Sequence, residues 1–428
     1  MKFKSLFGWL LTFVLCLIPV VLLLINSPTL TNYTNATHVL GQISALIGMT
    51  LFALTFILSS RFKFLEELFG GLDKVYKVHS VIGATAFVLL LFHPILLVLK
   101  YIPENFKLAA IYLLPGGLWS IDFGIIALLG MIFLLIITFY IKIKYNYWKF
   151  SHEFMGIFFI FAILHIFLIR GNGSRDNIFP GYYVYVAIVS IIGLIGFIYS
   201  LILRKRIMGA NYRIDSIKRP NDCFDIVLIP VGKSMHYNAG QFMFLKFKNK
   251  KMSGESHPFS IASKSNNTKL RFVIKSLGDF TGTLNEVKVG DDVLVEGPYG
   301  KFNKQSKKSQ VWIAGGIGVT PFLGMAQDIK NSNVKVDLYY TVKSKIEFIS
   351  IDDLTGVEKS NFNFKLIKWV SDDNGFLTID EIKKQSGDLL SKEFYICGPA
   401  GMKAALKNAL ISFGVKEDNI FEEDFNFK

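Results

Sequence analysis

Cysteine is scarce in this chain: 428 residues contain Cys16, Cys223 and Cys397 and no others. Three thiols so widely scattered exclude a disulfide framework, a thiolate zinc site and a cysteine-ligated iron–sulfur cluster. Repeats and low-complexity tracts are missing, and no stretch matches the G-x-G-x-x-G dinucleotide fingerprint. Nor is there a module of interleaved basic and aromatic residues suited to nucleic acid. The formal net charge of +14 therefore needs another explanation. Charge itself is thin, at 19% of residues against 51% hydrophobic, and it is unevenly spread.

What the chain has instead is apolar length. Residues 1–206 are mostly long apolar runs, while residues 207–428 read as soluble sequence rich in Gly, Lys, Asp and Asn. Six runs are long enough to span a bilayer, at about 6–26, 38–60, 78–99, 119–141, 152–170 and 181–203. Lys2 and Lys4 precede the first, as in a signal peptide. Its apolar core is too long for one and no A-x-A-like cleavage site follows, so it reads as an uncleaved helix. In a six-helix arrangement Lys2, Lys4, Arg61, Lys63, Lys74, Lys77, Lys142, Lys144, Lys149, Arg204, Lys205 and Arg206 share one side. Lys100, Lys107, Arg170 and Arg175 fall on the other. The positive-inside rule then places both termini in the cytoplasm of a multi-pass cell-membrane protein.

Four histidines stand out on this background. His79 and His93 are 14 residues apart on the third run, and His152 and His165 are 13 apart on the fifth. At the rise of a helix those gaps are roughly 19 to 21 Å, which places one histidine of each run near each face of a hydrocarbon core. The third and fifth helices run in the same direction, so His79 meets His152 at one depth and His93 meets His165 at the other. Imidazole is an axial ligand of haem iron, and two such pairs would hold two haems. Gly83 and Gly156 each follow an inner histidine by four residues, and so share its face. They either admit a flat porphyrin or simply pack helices. Phe158 lies between the two histidines of the fifth helix, placed to sit between haems or to fill core. Arg170 lies one turn beyond His165, near a propionate or as an interfacial anchor.

The soluble half opens with short alternating strands, at Tyr212–Ser216, Asp225–Pro230, Gln241–Phe247, Leu270–Lys275 and Asp292–Glu296, which predict a small β-barrel over 207–306. His257-Pro258-Phe259-Ser260 offers an aromatic face beside a hydroxyl, suited to a flavin ring. Gly278-Asp279-Phe280-Thr281-Gly282-Thr283 offers small residues whose amides suit a pyrophosphate at the start of a helix, with Lys275 just upstream. Glu296-Gly297-Pro298-Tyr299-Gly300 reads as a turn closing the barrel. Residues 307–428 change rhythm to strand, glycine-rich turn and helix, the pattern of an α/β nucleotide-binding domain with a parallel sheet. Gly315, Gly316, Gly318, Thr320 and Pro321 lie between a strand and a helix, where amides and the helix N-terminus favour a phosphate. Cys397-Gly398-Pro399 ends a later strand at the edge where such sheets bind ligands. Lys343, Ser344 and Lys345 follow another strand and suit a 2′-phosphate, which favours NADPH with NADH the alternative.

Taken in order, these features resemble the NADPH oxidase and ferric reductase superfamily over nearly the whole chain, and most closely its compact bacterial members. The resemblance rests on the paired histidine spacing, the HPFS segment, the GDFTG segment, the AGGIGVTP loop and the CGP turn. It implies a six-helix bundle with two b-type haems, followed by a ferredoxin-reductase-like module of FAD-binding barrel and NADPH-binding α/β domain. His79 and His152 would ligate the inner haem iron, and His93 and His165 the outer. Phe259 and Ser260 would contact the isoalloxazine, with His257, Pro258, Lys275, Gly278, Thr281 and Gly282 around FAD. Gly315, Gly316, Gly318, Thr320, Pro321, Lys343, Ser344, Gly398 and Pro399 would line NADPH, with Cys397 beside the nicotinamide. An aromatic in the tail would cover the flavin, Phe425 first and Phe427 second.

The resemblance further implies electron flow from cytoplasmic NADPH through FAD and both haems to extracellular dioxygen, giving superoxide. A ferric or cupric chelate reductase is the rival reading, and a membrane sensor or transporter the non-enzyme one. There is no calcium-binding loop and no Pro-rich docking segment, so no obligatory regulatory subunit is expected. Phe280 stands where many relatives carry Trp. No histidine is expected at the outer rim beyond His93 and His165.

Overall fold

The computed structural model describes residues 2–26, 33–99, 101–102, 107, 109, 112–171, 181–249, 251–252, 254–302, 306–329 and 334–423. Lys100, Arg175, Phe425 and Phe427 lie outside the described residues, as does the side chain of Arg170. The chain divides into two compact units that meet in sequence at Arg204 and Lys205.

The first unit is helical. Its elements are α1 (Lys2–Asn26), α2 (Tyr33–Ser59), α3 (Lys63–Phe69), α4 (Leu72–Leu99), α5 (Trp119–Tyr140), α6 (Tyr145–Glu153), α7 (Met155–Gly171) and α8 (Gly181–Ile198). Six stretches among the described residues are long and apolar enough to cross a membrane. Two begin earlier than their hydropathy suggests. The third starts at Leu72 and the fifth at Tyr145, where α6 leads into α7. Polar side chains on those leading turns (Asp73, Lys74 and Lys77; Asn146, Lys149 and Ser151) dilute the apolar signal without breaking the helix. His79 is thus two turns inside α4 and does not begin it, and His152 is the last residue but one of α6. The short α3 stops at Gly70, whose φ of 87° only glycine adopts freely and whose amide caps Glu66 at 2.8 Å.

The second unit holds two cores. A six-stranded antiparallel sheet is built from β1 (Gly209–Lys218), β2 (Cys223–Pro230), β3 (Phe242–Phe247), β4 (His257–Ser260), β5 (Leu270–Lys275) and β6 (Asp292–Tyr299), in the order β4-β3-β6-β1-β2-β5. The Ala262 amide donates to the Arg271 carbonyl at 2.8 Å, which brings the two edges together into a nearly closed barrel. Tyr212, Ile226, Leu245, Phe272, Val293 and Val295 fill it. The HPFS segment is therefore a strand, with Pro258 on an edge where its missing donor costs no ladder bond. The Glu296–Gly300 segment is also not a free turn. It is the end of β6, where Tyr299 is fully buried and its hydroxyl donates to Glu296 at 3.0 Å.

The second core is a five-stranded parallel sheet of β7 (Gln310–Gly315), β8 (Val336–Val342), β9 (Phe364–Val370), β10 (Glu393–Cys397) and β11 (Ile420–Glu423), ordered β11-β10-β7-β8-β9. Every residue of β7 and β10 is buried, as strands covered on both faces require. After a single turn α9 (Asp279–Gly282) in the barrel, helices α10 (Thr320–Asp328), α11 (Ile351–Ser360), α12 (Ile379–Ser386) and α13 (Ala400–Ser412) complete the α/β layers. The chain runs from β7 outward to β9, then returns to β10 on the other flank. The order reverses between β7 and β10, and such a reversal is where open α/β sheets bind ligands.

Candidate functional site

In the helical unit the four histidines form two pairs. The ring centroids of His79 and His152 are 6.2 Å apart, and those of His93 and His165 are 6.4 Å apart. A metal–imidazole nitrogen bond is about 2 Å and the nitrogen lies about 1.1 Å from its ring centre, so two imidazoles bridged by one metal ion place their centroids roughly 6 Å apart. Both pairs match. The planes of each pair cross steeply, at 67° and 72°.

Backbone carbonyls orient three of the four rings. The Nδ1 of His79 donates to the Thr55 carbonyl at 3.0 Å, that of His93 to Gly41 at 2.8 Å, and that of His165 to Ser120 at 2.6 Å. A carbonyl oxygen only accepts, so the proton sits on Nδ1 and the Nε2 lone pair is left for a metal. Thr55 and Gly41 lie as far apart on α2 as His79 and His93 do on α4, because the two helices pack antiparallel with equal rise. Each of these three rings thus has the partner that metal-bound histidines carry behind them. The residues fit two bis-histidine haems.

The ring of Phe197 covers Gly156, which therefore packs α7 against α8, whereas a side chain at Gly83 would meet only Thr55, at 3.7 Å. On α5 the His165 ring lies against Gly124 and the Phe158 ring against Gly130. Phe158 thus belongs to the α5–α7 seam. The expectation of no further histidine near His93 is also corrected: His38 on α2 is one turn before Gly41, on the face that holds His93. Sequence reasoning missed it because it sits at the margin of its apolar run.

In the barrel, Phe280 is buried beneath His257, their centroids 3.8 Å apart and nearly parallel, with Phe259 at 6.5 Å on a similar plane. The His257 Nε2 contacts Glu255 Oε2 at 2.7 Å. Glu255 belonged to no motif and went unnoticed. Ser260 is buried on β4. The Gly278–Thr283 segment does not open a long helix; it is one turn closed on itself. The Thr281 hydroxyl accepts the amides of Leu277 at 2.9 Å and Gly278 at 3.0 Å, while Asp279 accepts that of Phe280. Those amides are engaged within the turn, and Lys275 lies at the end of β5 beside it.

At the switch point the two glycine motifs meet. A side chain on Gly318 would strike the Cys397 carbonyl and the Gly398 amide, and one on Gly315 would strike Pro399 and Met402 at 2.8 Å. The open surface here belongs to Gly316, with φ 53° and nothing within 4 Å of its side-chain position. Thr320 and Pro321 are buried and start α10, with the Thr320 hydroxyl donating to Ile317 at 3.1 Å. Cys397 is fully buried, so its thiol faces core and the turn presents Gly398. Lys343 is exposed beyond β8 beside Ser344, and Lys345 pairs with Asp373 at 3.2 Å. The two cores are tied together by Arg271 of β5, which holds Asp225 with two bonds of 2.8 and 2.7 Å and reaches Asp353 of α11 at 2.6 Å.

Comparison with known proteins divides the chain in the same order. Residues 44–163 match a ferric reductase like transmembrane component, residues 217–303 an FAD-binding domain and residues 312–408 an oxidoreductase NAD-binding domain. A component of the Na(+)-translocating NADH-quinone reductase of Psychrobacter cryohalolentis is 33% identical over 155 residues, 32% of this chain and 38% of that protein. Its counterpart in Haemophilus ducreyi is 32% identical over 164 residues, 35% of this chain and 40% of that protein. The chain thus spans about two fifths of the length of these relatives. A flavohemoglobin from Malassezia yamatoensis, solved with FAD and heme, shares the fold with a TM-score of 0.50 at 16% identity, over 92% of this chain and 98% of that one.

Proposed function

With a ferric-reductase-like transmembrane component, an FAD-binding domain and an NAD-binding domain in one chain, this oxidoreductase has the layout of the NADPH oxidase and ferric reductase superfamily, and we propose that it carries electrons from cytoplasmic NADPH across the cell membrane to extracellular dioxygen, releasing superoxide. The observation that carries this reading is the spacing of the histidine rings, 6.2 Å in one pair and 6.4 Å in the other.

Two b-type haems and FAD, when bound, would supply the one- and two-electron redox chemistry. The protein's part is placement. His79 and His152 would hold the inner haem iron, and His93 and His165 the outer. Phe259 offers a face for the isoalloxazine ring, and the crevice between Gly316 and Gly398 receives the nicotinamide nucleotide. Lys343 at the end of β8 suits a 2′-phosphate and supports NADPH, while relatives named as NADH-quinone reductases support NADH as a second donor. Lys2, Lys4 and the basic cluster Arg204-Lys205-Arg206 support cytoplasmic termini.

Membranes given NADPH should reduce cytochrome c, and superoxide dismutase should suppress most of that reduction. The match to a ferric reductase like component favours a second reading, with a ferric or cupric chelate as acceptor. Dismutase-insensitive flux with rapid chelate reduction would establish that reading in place of the oxidase. A reduced-minus-oxidised spectrum without low-spin b-type bands would overturn both.

A further inference from the structure

Three of the four histidines are oriented by one device, and the fourth is not. His79, His93 and His165 each donate Nδ1–H to a carbonyl of a neighbouring helix. The Nδ1 of His152 is buried and meets no hydrogen-bond partner among the described residues. Its ring lies instead along Trp148, with centroids 5.5 Å apart and planes 12° apart. Trp148 is stacked in turn on Tyr145, at 5.6 Å and 27°. The three rings stand at i, i+3 and i+7 on one face of α6, which ends immediately after His152.

We propose that Trp148 is the positioning residue of His152: its indole face fixes the imidazole plane where the other three histidines use a carbonyl, and it leaves His152 the weakest electron donor of the four. This rests on the reading of the histidine pairs as haem ligands. A carbonyl that accepts the Nδ1 proton raises the basicity of Nε2 and strengthens its donation to iron. Stronger donation stabilises the oxidised metal, one of the levers by which a protein tunes a haem. An aromatic face holds the ring by shape and quadrupole and draws no proton. The inner pair is thus unequal, with one carbonyl-backed and one indole-backed ligand, whereas both outer ligands are carbonyl-backed.

The test uses the purified protein in lipid nanodiscs, with Trp148→Leu and Trp148→Phe each made alone and with His93→Ala, which should remove the outer haem. Haem stoichiometry of the unaltered protein comes first: fewer than two haems per chain defeats the underlying reading. With two present, low-spin electron paramagnetic resonance reports the relative orientation of the axial rings, and redox titration reports their donation. Trp148→Leu should shift the resonance and midpoint of the haem retained in His93→Ala, or lower its occupancy, and leave the other haem unchanged. Trp148→Phe, which keeps an aromatic face, should restore the original values. Unchanged spectra and midpoints in Trp148→Leu would overturn the proposal. So would a shift confined to the outer haem, or equal losses in the leucine and phenylalanine variants.

Discussion

Gly318 stands against the carbonyl of Cys397 with no space between them for a methyl group. The loop after β7 and the turn after β10 therefore touch backbone to backbone, at the point where strand order reverses. Gly318→Ala must push one strand end away from the other. We expect flavin reduction by NADPH, followed by stopped-flow bleaching, to slow at least about tenfold, equivalent to about 1.4 kcal/mol, with FAD content retained. Gly356→Ala, in open space on α11, should leave that rate unaltered. Equal rates in both variants would mean that the crevice does not hold the nucleotide.

Lys343 is exposed at the carboxyl end of β8, while the neighbouring Lys345 is engaged with Asp373. A charge reversal at Lys343 removes an attraction to a 2′-phosphate and adds a repulsion. Lys343→Glu should raise the KM for NADPH about tenfold, with kcat and the NADH parameters nearly unchanged, because a charged hydrogen bond of this kind contributes about 1.5 kcal/mol. Parallel changes for both nucleotides would remove Lys343 from the phosphate site.

How far the sequence announced these arrangements depends on the range over which each residue acts. The histidine spacing was legible because helix rise converts residue number directly into depth. The carbonyls behind the rings were not, because every residue has one and only the packing of α2 on α4 selects Thr55 and Gly41. Gly83 and Gly156 stand out by their spacing from histidines on their own helices, yet the glycine that a histidine ring presses is Gly124 on α5, a contact between helices that spacing along one helix does not show. In the soluble half, Gly315–Pro321 and Cys397–Pro399 were recognised as separate turns. Their mutual contact follows only from β7 lying beside β10, a pairing of strands some eighty residues apart. HPFS was read for its side chains, and its role as an edge strand was hidden by the proline that an edge tolerates.

Burial raises the Cys223 thiol from its usual range to about 11. A thiol with that value is ionised in only about one molecule in a thousand at pH 8, so alkylation is slow in the folded protein. Because the raised value favours the neutral form, the contribution to stability is complete below the ordinary thiol pKa and declines as pH rises from about 9 towards 11. Iodoacetamide at pH 8 should therefore leave Cys223 unmodified over a period that labels it fully in denaturant, as peptide mass mapping would show. Rapid native labelling would mean that β2 opens readily at this position.

Arg271 joins two elements of the barrel to one of the parallel-sheet domain. It grips Asp225 through Nε and one terminal nitrogen, and reaches Asp353 and the Ser350 hydroxyl at 2.6 and 3.2 Å. The hydrogen bonds to Asp225 hold the guanidinium well above its ordinary range, so the cation persists at every accessible pH. A raised value of this sign gives stability that is complete below the unfolded arginine pKa and is lost only above it. The contribution of Arg271 is accordingly flat across neutral and alkaline pH. Removing the side chain strands Asp225, whose carboxylate is only 13% exposed. Arg271→Ala should cost about 2–3 kcal/mol, read as a fall of several degrees in the midpoint of flavin release on heating. Arg271→Lys keeps the charge but loses the fork, since one ammonium cannot serve Asp225 twice and Asp353 once, and should recover less than half of that loss. If the contact between domains also sets the approach of nucleotide to flavin, Arg271→Lys should lower the hydride-transfer rate at saturating NADPH while leaving the KM nearly unchanged. A melting midpoint equal to that of the unaltered protein in both variants would show that apolar packing, such as Gly324 of α10 against the Ile261–Ser263 backbone, holds the domains without it.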